Sequence, residues 1–186
     1  MSNIEQFIKL AEHRTSCRAY RQDPVPDEMT RQCLEAARLA PSACNKQPWR
    51  FIVVTDPVLR KEICDHGLLP GLPMPWLRQA PVIVAICAET SLVTHKIAPV
   101  LSKVDYRLVD LGIAGEHFVL AADALGLGTC WIGWFREKPV KKLLDIPRNI
   151  RVFSLLSMGF PDKEPENSSR FALEDIAFSN KWENPL

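Results

Sequence analysis

Three short stretches of this 186-residue chain gather side chains that could do chemistry. The first is Arg14-Thr15-Ser16-Cys17-Arg18. Alternate residues of an extended segment project to one side, so Arg14, Ser16 and Arg18 share a face. Two guanidiniums and a hydroxyl on one face suit a phosphate ester, offering charge, fork geometry and a neutral donor. The same residues also suit a solvated basic turn that caps the carbonyls of a preceding helix. The second stretch is Pro41-Ser42-Ala43-Cys44-Asn45-Lys46-Gln47-Pro48-Trp49. Prolines fix its backbone at both ends, and Asn45 and Gln47 present donor and acceptor together, which suits the uracil-like edge of a flavin. An ordinary helix-to-strand loop is the competing description. The third stretch is Gly126-Leu127-Gly128-Thr129-Cys130-Trp131-Ile132-Gly133-Trp134. Its glycines would let backbone N–H groups approach a flat ring closely, or would simply stop a helix before a strand.

What the chain lacks is also informative. No G-x-G-x-x-G follows a strand and no G-x-x-x-x-G-K-[ST] is present, so neither a dinucleotide-binding Rossmann site nor a P-loop is expected. The six cysteines include no C-x-x-C pair, which argues against a zinc site or a thioredoxin-type centre. With 23 basic and 22 acidic residues, the net charge of +1 gives no field for nucleic acid or acidic membranes. The first residues form no leader, and six thiols suit a reducing cytoplasm. Cys130 reads as a buried thiol, and His117 as a core or interface histidine, rather than as catalysts.

The elements that must position these residues follow from periodicity. Ile4, Phe7, Ile8 and Ala11 predict a helix over residues 4–12, with Asn3 and Gln6 as its capping box. Residues 13–23 read as irregular. A second helix begins at Pro26 and stops at Ala40 before Pro41. Strands are expected over 51–55, 81–87, 129–131 and 152–158, and further helices from Asp56-Pro57 to Asp65 and over 138–145. Residues 106–125 form one long helix in which Leu108, Leu111, Ile113, Phe118, Val119 and Leu120 surround the cylinder. A helix apolar all round is buried on all sides, which in a chain this small implies a second subunit. After Gly159 the chain is irregular, yet it carries Phe171, Leu173, Ile176, Phe178 and Trp182, which an arm packed across a partner would bury. The expected fold is α+β, three-layered and dimeric: one domain over 1–186, with 160–186 as the arm.

Taken together and in order, these motifs resemble the nitroreductase family of FMN enzymes. The family's Arg-x-Ser-x-Arg opening, Pro-Ser-x-x-Asn-x-Gln-Pro-Trp loop, long helix, Gly-x-x-Trp-Ile-Gly turn and late arginine correspond to Arg14/Ser16/Arg18, residues 41–49, residues 106–125, Gly128–Gly133 and Arg170. The resemblance implies a central mixed or antiparallel sheet flanked by helices, in an intertwined homodimer with two FMN sites. It implies that Arg14, Thr15, Ser16, Arg18 and Arg170 hold the phosphate and ribityl chain. Pro41, Ser42, Ala43, Asn45 and Gln47 would reach the ring from the other subunit, while Trp131, Ile132 and Gly133 face its reactive edge. NADH or NADPH would reduce FMN, leave, and be replaced by a nitroaromatic, quinone or enone acceptor. A dehalogenase, a flavin-fragmenting enzyme and a non-catalytic flavin-binding dimer are the alternatives. The chain departs from the family pattern at residues 73–78, where only Arg78 is basic, and at Ser168 and Ser169, where relatives carry a second late basic residue.

Overall fold

The computed structural model describes residues 2–89, 105–163 and 168–186. Helix α1 spans Asn3–His13, α2 Asp27–Arg38, α3 Pro57–Glu62, α4 Tyr106–Ala124, α5 Glu137–Leu143 and α6 Leu173–Ile176. The strands are β1 Trp49–Val54, β2 Val82–Glu89, β3 Gly128–Ile132 and β4 Ile150–Gly159. They form one sheet in the order β1-β2-β4-β3, and every pair is antiparallel.

Every residue from Val82 to Ala88 is buried, as a strand covered on both faces requires. On one face Val82, Val84 and Ile86 meet Cys33 and Ala37 of α2 and Leu111, Ala114 and Phe118 of α4. On the other, Ile83, Ala85 and Cys87 meet Ile63, Leu77, Val140 and Ile146. The alternation of β2 therefore builds two cores and three layers.

Some local expectations are corrected. The capping box of α1 is Ser2 with Glu5, not Asn3 with Gln6: Glu5 N–H donates to Ser2 Oγ at 3.3 Å and Ser2 N–H to Glu5 Oε2 at 2.8 Å. The helix after Asp56 is α-helical only to Glu62, and a π turn then carries Ile63–Gly67. The long helix α4 ends in a Schellman motif. Gly126 takes a φ of +75°, Leu127 N–H donates to Ala122 O at 2.9 Å, and Gly126 N–H to Asp123 O at 2.9 Å. Within the single chain α4 is covered on one side only: Leu111, Phe118 and Val119 are buried, whereas Tyr106, Leu108 and Val109 are exposed. The apolar face of α1 (Ile4, Phe7, Ile8) and Phe171, Leu173, Ile176 and Trp182 of the tail are exposed too. No described helix is long and apolar enough to cross a membrane.

Helix α4 and strand β3 approach closely at Gly115. A Cβ on Gly115 would lie 2.2 Å from Trp131 Cη2 and 2.7 Å from Cζ2. Gly115→Ala must therefore displace the indole, at a cost of about 1–3 kcal/mol in urea denaturation. Because the two sites share one contact, Gly115→Ala combined with Trp131→Ala should cost less than the sum of the single substitutions.

Candidate functional site

The segment after α1 does not wander. It runs parallel to β3, with Ser16 bridged to Thr129 and Cys17 N–H donating to Thr129 O at 2.8 Å. Tyr20 anchors its far end: the buried hydroxyl donates to Cys17 O at 2.9 Å and lies 2.6 Å from Ser157 Oγ. The close approach depends on Gly128, where a Cβ would sit 2.6 Å from Cys17 Cβ. That glycine serves the docked segment. Gly133, by contrast, is exposed, and nothing lies within 4 Å of where its Cβ would be.

Docking sorts the side chains. Cys17 turns inward, half-buried, and its thiol donates to Ala19 O at 3.2 Å. Arg14, Ser16 and Arg18 gather about the Cys130 thiol. Burial pushes that thiol above its ordinary range, while the Arg18 charge, a Ser16 hydrogen bond and the Arg14 charge pull it back. A thiol held neutral by burial is a packing group, as the sequence indicates. Among the described residues, no carboxylate lies within salt-bridge distance of Arg14 or Arg18.

Beside this segment opens a cavity of about 480 Å³, lined by His13 and Thr15–Ala19, by Asp123 and Gly126–Gly128, and by Pro161, Lys163 and Ser168. Thr15, Ser16 and Arg18 belong to its wall and Arg14 stands next to it. Arg170 does not line it. That side chain is exposed, and its Nη1 donates to Ser168 O at 3.1 Å and Ser169 O at 2.9 Å. Lys163 is the late basic residue that the cavity presents, and the sequence reading overlooked it. Its position as the first cation after β4 is the signal that could have marked it. His13 and Asp123, also overlooked, pair across the rim, with Nδ1 2.9 Å from Oδ2.

The 41–47 loop lies elsewhere. Ala43 N–H donates to Oδ1 of the buried Asp110 at 2.9 Å, near the start of α4, whereas the cavity adjoins the end of that helix. Sixteen residues separate Asp110 from Gly126, roughly 24 Å of helix. The loop also feeds β1, at the opposite edge of the sheet from β3 and roughly 14 Å across it. So Pro41, Ser42, Ala43, Asn45 and Gln47 of one chain do not meet Ser16 and Arg18 of the same chain. The loop is nonetheless built with care. Cys44, Asn45 and Gln47 hold φ values of 50°, 53° and 48°, which L residues adopt at a cost. Gln47 N–H donates to Ser42 Oγ at 2.9 Å, Gln47 Nε2 to Asn45 Oδ1 at 3.0 Å, and Arg50 Nη1 to Gln47 O at 3.2 Å. Asp110 reads in the sequence as one of three carboxylates in a largely apolar helix, and its hydrogen bond holds this loop.

Trp131 and Ile132 end β3, Ile132 buried and Trp131 partly exposed, so Gly133 stands at the end of the strand along which Arg14–Arg18 runs. Cavity, docked segment and open glycine thus form one strip along β3. Among the described residues no cluster of His, Cys, Asp or Glu is placed to hold a metal ion.

The chain matches the family model for the nitroreductase family over residues 11–69 and 68–160. It is 37% identical to an Archaeoglobus fulgidus protein provisionally named NADH dehydrogenase/NAD(P)H nitroreductase, over 96% of this chain and all of that one. It is 33% identical to the FMN reductase [NAD(P)H] of Bacillus subtilis, over 97% of this chain and 76% of the relative. A crystal structure of a nitroreductase family protein from Streptococcus pneumoniae superposes with a TM-score of 0.82 at 26% identity, covering 94% of this chain and 100% of that one.

Removing the carboxylate of Asp110 should release the loop. Asp110→Ala is expected to cost about 1.5–3 kcal/mol in urea denaturation and to speed amide hydrogen exchange at Ala43. Asp110→Asn, which keeps an acceptor oxygen, should cost less and leave that amide protected.

Proposed function

Because the chain belongs to the nitroreductase family, we propose that it is a homodimeric FMN-dependent oxidoreductase that carries electrons from NADH or NADPH to nitroaromatic, quinone or enone acceptors. The observation that carries this reading is the strip along β3. At one end lies a cavity with Ser16, Arg18, Lys163 and the Gly126–Gly128 turn after α4. At the other lies Gly133, open above its backbone.

The residues fit FMN better than a dinucleotide. One terminal phosphate suits the cavity, where Arg18 and Lys163 supply charge and Thr15 and Ser16 supply neutral donors. Arg14 adds its charge from beside the cavity, and Arg170, two residues beyond Ser168, would have to swing inward to join. When bound, FMN supplies the redox chemistry, taking hydride from the nicotinamide and passing electrons to the acceptor. The chain's own part is to stack, orient and exclude water. No acid–base triad is needed for that. Cations beside the pyrimidine edge would favour the negatively charged reduced ring.

The second copy enters through distance. A loop strained in three places and tied to Asp110 is an expensive structure to leave idle, yet it lies too far from the cavity to serve it in the same chain. A partner related by twofold symmetry would bring its own Pro41, Ser42, Ala43, Asn45 and Gln47 to the open side of the strip. The exposed apolar residues of α1, the start of α4 and the 160–186 arm would then be buried, in an interface above roughly 2,000 Å². All six cysteines are free, which suits a reducing compartment such as the cytoplasm.

The purified protein should be yellow, release FMN rather than FAD on denaturation, and bleach on anaerobic addition of NADH or NADPH. Sedimentation at micromolar concentration should show a dimer, and a folded, FMN-loaded monomer would exclude the shared site. Arg18→Ala should weaken FMN binding by about ten- to a hundredfold, roughly 1.5–3 kcal/mol, as read by flavin fluorescence titration. Lysine at that position should restore only part of the affinity, since it lacks the planar fork.

A further inference from the structure

A second cavity, of about 570 Å³, lies outside the phosphate pocket and is used by nothing described so far. Its volume falls within the range of small-molecule pockets, roughly 300–1,000 Å³. Its walls combine two chemistries. Leu68, Leu69, Leu72 and Met74, with Pro70 and Pro73, make an apolar lining. Arg78 and Arg136 stand in the same lining with one carboxylate, Asp65.

The charges do not cancel. Asp65 is paired with both Arg78 and Lys61, the latter at 2.6 Å. Arg136 donates from Nη2 to the carbonyl of His66 and has no carboxylate partner among the described residues. Glu62, the nearest other acid on this element, is turned to His66 at 3.5 Å. The lining thus holds Arg78 and Arg136 against a single Asp65, a surplus of one positive charge, and Lys61 shares that carboxylate from outside the lining. A guanidinium carries five N–H donors, so both arginines keep donors for a ligand.

Position supplies the other half of the argument. The cavity wall is fastened to the turn that follows Gly133. Leu69 N–H donates to Trp134 O at 3.3 Å, Trp134 Nε1 to Pro70 O at 3.3 Å, and Arg136 N–H to Gly67 O at 2.7 Å. Leu68 is bridged to Phe135. An apolar, cationic cavity is thus tied through Trp134 to the Gly133 end of the strip.

We propose that this cavity holds the anionic group of a planar co-substrate, a carboxylate, sulfonate or phosphate, and gives the enzyme a preference for acidic over neutral partners. This rests on the reading of the strip as a flavin site. The apolar lining takes the body of the ligand, and Arg136 with Arg78 takes its charge. Two sources share that chemistry: an acidic electron acceptor, and the phosphates of the nicotinamide dinucleotide.

The first measurement needs no turnover. The protein as purified is titrated calorimetrically with 2-naphthoate and with its neutral analogue 2-naphthalenemethanol. Naphthoate should bind at least about tenfold tighter, with the difference shrinking in high salt. The preference should fall severalfold in Arg136→Gln and in Arg78→Gln, and should be largely retained in Arg136→Lys. Equal affinities in the parent protein, or a preference that survives both glutamine variants, would overturn the proposal. Stopped-flow half-reactions then separate the sources. Selective loss with 1,4-naphthoquinone-2-sulfonate relative to 1,4-naphthoquinone assigns the anion to the acceptor. Selective loss with NADPH relative to NADH assigns it to the dinucleotide. Failure to bind FMN, or to reduce the neutral quinone, would count against the flavin reading, whereas the naphthoate preference is read independently of either.

Discussion

The site depends on the parallel docking of the Arg14–Tyr20 segment against β3. One backbone hydrogen bond, Cys17 N–H to Thr129 O, sets the register. The Tyr20–Ser157 contact pins the far end, and Gly128 clears the space that Cys17 fills. With that register set, the extended backbone sends Cys17 toward the core and leaves Ser16 and Arg18 on the cavity wall. A shift by one residue would reverse the two faces, burying arginines and exposing the thiol. The hydrophobic fit of Cys17 and Tyr20 is therefore what aims the charged side chains.

Helix α4 has the complementary task of separation. Its buried face joins α2 to the sheet, and its ends hold different things. At the start, Asp110 fixes the strained 41–47 loop. At the end, the Gly126 turn delivers the chain to β3 and opens the cavity. The length of a 19-residue helix keeps the two apart. A molecule too short to bridge that distance can be gripped by both only if two chains combine, which is the physical basis for proposing a shared site. The apolar surface left bare on α1, on the first turn of α4 and along the tail lends the same idea its energetics.

The two cavities divide the electrostatics. Around the first stand Arg18 and Lys163, and Asp123, the carboxylate among the described lining residues, is paired to His13. Around the second, the π turn brings Cys64 and Asp65 under Arg78, and burial pushes the Cys64 thiol up. Both linings thus carry more basic than acidic side chains, although the chain as a whole is nearly neutral. Overall charge speaks to the long-range field, whereas a pocket answers to the few charges lining it.

Much was legible in the sequence because it is encoded locally. Proline, glycine and capping residues marked the helix ends, the run of apolar residues marked β2 as a buried strand, and Arg14/Ser16/Arg18, the 41–49 loop and the Gly128–Gly133 turn announced themselves by type and spacing. The misreadings were also local. Ser2 competed with Asn3 for the same cap, and a π turn continued a helix that periodicity alone runs on to Asp65. Other features were not legible because they depend on residues that only the fold brings together. Nothing near Gly115 says that Trp131 will lie across it, nothing near Gly128 says that Cys17 needs the room, and Lys163 reaches the cavity only because β4 returns the chain beside Tyr20. The sequence by itself determined which residue types were available and which backbone segments could bend, cap or extend. The tertiary structure decided which of them meet, because contact across more than a hundred residues is set by sheet order and helix length.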